Sequence, residues 1–83
     1  MYSLLIIDDQ KYIINGIKKF IDWDECEINL AGTAINGVEG LEKIKSLRPD
    51  IVITDISMPK MTGLDMIKEV KNLDIKTKFI LLT

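Results

Sequence analysis

Two short apolar runs that each end in acid constrain this chain more than anything else in it. Leu4-Leu5-Ile6-Ile7 leads into Asp8-Asp9, and Ile51-Val52-Ile53-Thr54 leads into Asp55. A run that is apolar at consecutive rather than alternate positions suits a strand buried on both faces, as in a parallel sheet covered by helices. The carboxylates then fall at the carboxyl ends of the strands, where open parallel sheets gather their functional groups. A third run, Phe79-Ile80-Leu81-Leu82, ends in Thr83 and predicts a further buried strand.

The intervening segments have helical spacing. Ile13, Ile14, Ile17, Phe20 and Ile21 line one face of a helix predicted over residues 10–21, with Lys11, Lys18 and Lys19 on other faces. Asp22-Trp23-Asp24-Glu25 reads as a polar connection, with Trp23 packing over the end of that helix. Residues 28–34 give a more mixed strand, expected near an edge. Asn36-Gly37-Val38-Glu39 has the form of a helix start, continued by Leu41, Ile44 and Leu47 and ended by Pro49. Thr62-Gly63-Leu64-Asp65 opens a third helix along Leu64, Ile67 and Val70. The alternation of four strands with three helices predicts an α/β fold with right-handed crossovers.

Composition narrows the function. With 11 basic and 13 acidic residues and a net charge of -2, the chain has no basic stripe for a phosphate backbone or an anionic membrane. It has no histidine and one cysteine, which excludes zinc sites of ordinary ligand spacing. Cys26 is expected to be an inert, partly buried thiol. No apolar run approaches membrane-spanning length and the start lacks a signal peptide's basic flank, so the expected location is a reducing cytoplasm.

If the first and third strands are neighbours, Asp8, Asp9 and Asp55 converge, and their mutual repulsion calls for a hard divalent cation. Mg2+ fits, because it takes oxygen ligands and is commonly held by one or two carboxylates together with phosphate. Asp55 can then attack a phosphorus atom in line and form an acyl phosphate.

The segments 6–9, Ile53-Thr54-Asp55-Ile56-Ser57-Met58-Pro59-Lys60-Met61-Thr62-Gly63-Leu64 and Leu81-Leu82-Thr83 resemble the receiver domains of bacterial response regulators, over essentially the whole chain. The resemblance implies a flavodoxin-like doubly wound parallel sheet, here about four strands in the order 2-1-3-4. It implies Asp55 as phosphoacceptor and Asp9 as a direct Mg2+ ligand. Asp8 would act mainly through water, and the Ser57 carbonyl would complete the coordination. Thr83 would be the switch residue that contacts the phosphoryl group, with Pro59 and Gly63 shaping the loop after the acceptor. The implied partner is a histidine kinase, in a two-component system that regulates transcription. Residues 20–24 further resemble a subgroup with a C-terminal AraC-type DNA-binding domain.

The family also uses a lysine at the end of a fifth strand. Lys76 and Lys78 precede the fourth strand, at its other end, and do not match it. Residues 1–83 are therefore expected to be the N-terminal portion of a receiver domain, lacking the fifth strand and the last two helices. An open apolar fourth strand predicts self-association by edge pairing or exchange of elements. A haloacid-dehalogenase-type phosphatase is disfavoured because Ser57 stands where that chemistry needs a second aspartate. A nucleotide-binding flavodoxin relative is disfavoured by the lack of a phosphate loop after the first strand.

Overall fold

The computed structural model describes residues 1–82, so Thr83 lies outside the described residues. The elements are β1 (Tyr2–Ile7), α1 (Lys11–Phe20), α2 (Trp23–Cys26), β2 (Ile28–Ala34), α3 (Gly37–Leu47), β3 (Ile51–Asp55), α4 (Gly63–Asn72) and β4 (Lys78–Leu82). The four strands form one parallel sheet in the order β2-β1-β3-β4. Both the expected order and the expected edge position of β2 are met.

Strand side chains alternate between two cores. Leu5, Ile7 and Val52 pack with Ile44 of α3 and with Met66 and Val70 of α4. Leu4, Ile6 and Ile53 pack with Ile14 of α1 on the other face. Because β1 is buried from both sides, Leu4 through Ile7 all have to be apolar.

Asn36 Oδ1 accepts the Glu39 N–H at 2.8 Å and Thr62 Oγ1 accepts the Asp65 N–H at 3.1 Å, so α3 and α4 begin at their expected caps. The helix α3 ends before Pro49, but Arg48 sits at φ 48° in the left-handed region rather than in extended backbone.

Three expectations need correction. Asp22-Trp23-Asp24-Glu25 is more than a polar connection: Asp22 Oδ1 caps the one-turn helix α2, and Trp23 Nε1 donates to the Lys18 carbonyl at 2.9 Å, over the end of α1. Among the described residues there are thus four helices rather than three. Cys26, expected partly buried, is exposed because it lies in that surface turn. β4 is less buried than its sequence suggests, with Ile80 50% and Leu81 39% exposed, because among the described residues it pairs only with β3.

Candidate functional site

Parallel register brings the acids together. Ile7 pairs with Thr54, so the next residues, Asp8 and Asp55, leave adjacent strands side by side. One carboxylate oxygen from each of Asp8, Asp9 and Asp55 can be chosen so that all three lie within 4.8 Å of one another. The cluster sits at the carboxyl ends of β1 and β3. Here the chain leaves β1 for α1 on one face of the sheet and β3 for α4 on the other, the switch point at which such sheets bind ligands.

The three acids are not equivalent. Asp8 is buried, while Asp9 and Asp55 are partly exposed. Burial pushes the Asp8 carboxyl above its ordinary range; the hydrogen bond from the Gln10 N–H pulls it down, and the charges of Asp55 and Asp9 push it up again. That bond, 2.9 Å to Asp8 Oδ1, also serves the start of α1, where Gln10 makes no side-chain cap. The described ion pairs, Lys43–Glu39, Lys45–Glu42 and Lys76–Asp74, leave the three acids without a cationic partner among the described residues.

An oxygen-only donor set with one buried carboxylate fits a hard divalent cation such as Mg2+, which would offset the repulsion. The residues present therefore suit the expected metal.

The loop after Asp55 is shaped by close approaches. The Gly63 N–H donates to the Ile56 carbonyl at 2.7 Å. A Cβ on Gly63 would collide with the Asp55 carbonyl oxygen and lie 3.1 Å from Ile56 Cα, so only glycine fits. The Met61 N–H donates to the Pro59 carbonyl at 2.8 Å across Lys60, whose φ is 72°, a tight turn in the left-handed region. Ser57 is exposed, and its N–H makes a long contact of 3.4 Å to Asp55 Oδ1. Met58 is buried in the α3–α4 core. Thr83 cannot be placed against these groups, since it falls outside the described residues.

Two features near the site were not read as functional from sequence. Lys60 carries the strained turn, and Gly37 lies against Met61. A glycine in the first turn of a helix is a weak sequence signal, and its meaning depends on what packs against it.

Fold and site together define a doubly wound α/β protein with an acidic, oxygen-only centre at its switch point. A family model described as the response regulator receiver domain matches residues 4–83, and the chain belongs to that family.

The chain is 42% identical over 83 residues to an uncharacterized transcriptional regulatory protein, YesN, of Bacillus subtilis, covering 100% of this chain and 23% of that protein. It is 39% identical over 74 residues to the transcriptional regulatory protein HptR of Staphylococcus aureus, covering 89% of this chain and 29% of that protein. It thus spans less than a third of the length of these relatives. Among solved structures, the receiver domain of AraT, a response regulator from Geobacillus stearothermophilus, superposes with TM-score 0.89 at 34% identity, over 96% of this chain and 62% of that one. Among the described residues no helix is long and apolar enough to cross a membrane.

Proposed function

We propose that residues 1–83 are the N-terminal portion of a receiver domain that accepts a phosphoryl group on Asp55 from the phosphohistidine of a histidine kinase. The observation that carries this reading is the convergence of Asp8, Asp9 and Asp55 at the carboxyl ends of two adjacent strands. An Asp55 carboxylate oxygen attacks the phosphorus in line. The phosphorus–nitrogen bond breaks as the oxygen–phosphorus bond forms, and the imidazole leaves with the electron pair and takes up a proton. The protein is altered by the reaction, so it is a signalling substrate rather than a turnover enzyme.

Asp8, Asp9, Asp55 and the Ser57 carbonyl would hold Mg2+. When bound, Mg2+ neutralises charge on the transferring group and among the acids. Pro59 and Gly63 hold the loop that carries Ser57, and the Thr83 hydroxyl takes the role of phosphate contact. The relatives' names support an output in transcription; DNA would be bound through a domain outside this chain, in the cytoplasm.

The protein incubated with Mg2+ and a small acyl phosphate is expected to gain the mass of one phosphoryl group, and Asp55→Asn to gain none. Intact-mass spectrometry reads the difference. The same gain in Asp55→Asn would move the acceptor to another residue.

A further inference from the structure

The first turn of α3 touches both halves of the acid site. Gly40 packs against Ile7, the residue before Asp8: a Cβ on Gly40 would come within 3.2 Å of Ile7 Cγ2 and 3.1 Å of Met66 Sδ. Three residues earlier, Gly37 is buried against Met61, in the loop after Asp55. A Cβ there would strike the Met61 carbonyl oxygen and lie 2.7 Å from Met61 Cβ and 2.8 Å from its carbonyl carbon. The obstacle is backbone, which cannot swing aside as a flexible side-chain tip can.

The loop has little slack with which to absorb a push. Its ends are tied by the Gly63 N–H to the Ile56 carbonyl at 2.7 Å, and Met61 is tied to Pro59 at 2.8 Å across the Lys60 turn. Displacing Met61 therefore moves Pro59 and Lys60 with it and shifts the segment from Ile56 to Pro59, which includes Ser57. On the β1 side, Asp8 and Asp9 follow the buried run Leu4–Ile7 and stay in place.

We infer that Gly37 is a positioning residue: by letting α3 approach Met61 without a side chain between them, it fixes the loop after Asp55 at its working distance from Asp8 and Asp9. This inference rests on the metal-binding reading of those acids. A one-carbon change on α3, which carries none of the proposed ligands, alters the cation site because the close approach is what sets the loop.

Gly37→Ala is expected to raise the Kd for Mg2+ about tenfold, the size of effect seen when groups that orient metal ligands are disturbed. It should also speed amide hydrogen exchange at Gly63, whose N–H closes the loop. Titration calorimetry with MgCl2 and exchange measured by NMR read the two effects. Ile44→Val, a core truncation two turns further along the same helix, controls for lost stability and should change neither. Should Gly37→Ala fail to fold, Asn36→Ala decides. It frees the Glu39 N–H at the start of α3 without adding bulk, and the same two readouts should move in the same direction, by less.

Wild-type Mg2+ affinity and Gly63 exchange in Gly37→Ala, or in Asn36→Ala if that variant has to decide, would overturn the positioning role while leaving the acid site intact. Equal losses in Ile44→Val would reduce the effect to general destabilisation and also overturn it. A wild-type protein that binds no Mg2+ would remove the site reading and this inference with it.

Discussion

Asp8 is the acid on which the metal-free site weighs most heavily. It is 3% exposed, it faces Asp55 and Asp9, and its carboxyl is pushed above the ordinary value of 3.8, first by burial. A raised folded-state value favours the fold while the carboxyl is neutral and loses that advantage as pH rises through it. Asp8→Asn removes the charge but keeps an oxygen to accept the Gln10 N–H. Without metal, the variant is expected to melt higher than the wild type at neutral pH, and the gap should close as pH falls toward 3.8. With saturating Mg2+ the order should reverse, because a ligand that binds the folded state stabilises it. Melting curves in EDTA and in MgCl2 across that range check both; a variant less stable than wild type in EDTA at neutral pH would contradict the repulsion.

Among the elements, the end of α4 shows how local chemistry and packing work together. The Asp74 N–H donates to the Lys71 carbonyl at 3.1 Å and the Ile75 N–H to the Val70 carbonyl at 3.2 Å, with Asp74 left-handed at φ 57°. This pair of bonds closes a helix in a Schellman motif, and Ile75 then turns into the core beside Val70. An aspartate pays a steric penalty there that glycine avoids. Its pair with Lys76 at 3.3 Å returns little, since both side chains are almost fully exposed. Asp74→Gly is expected to raise stability by about 0.5 kcal/mol, whereas glycine at an ordinary surface position would lower it. A higher urea midpoint at unchanged slope is the check. The same balance of local and distant causes decided what the sequence disclosed. β1 and β3 were legible because both faces are buried, and α3 and α4 because their caps are local. The helix α2 was missed because one turn gives a period nothing to repeat, and the exposure of β4 because it depends on neighbours rather than on composition. The convergence of Asp8, Asp9 and Asp55 could be expected from the strand ends once β1 and β3 were taken as neighbours. Gly37 could not, since its partner Met61 is remote in sequence and meets it only in the folded molecule.

At the scale of the whole molecule, the sheet has two unlike edges. On β2 the Ala34 carbonyl accepts the Asp8 N–H at 3.0 Å, so the carbonyl before it, on Thr33, points outward, where it accepts from Lys43 Nζ. Lys43 of α3 is therefore tied to the sheet edge and also pairs with Glu39 at 3.5 Å. The β4 edge carries Ile80 and Leu81, and among the described residues no strand lies beyond it. A polypeptide confined to these 83 residues is expected to self-associate through β4 at high micromolar concentration. Light scattering that finds only monomer would count against it. An ammonium group on one of its outward carbonyls makes the β2 edge the poorer template and gives such a polypeptide an effective valence of one. Two copies meeting β4 to β4 would present only β2 edges outward, and growth would stop at the pair. Lys43→Ala would raise the valence to two, turning a terminating assembly into one that can lengthen into a ribbon.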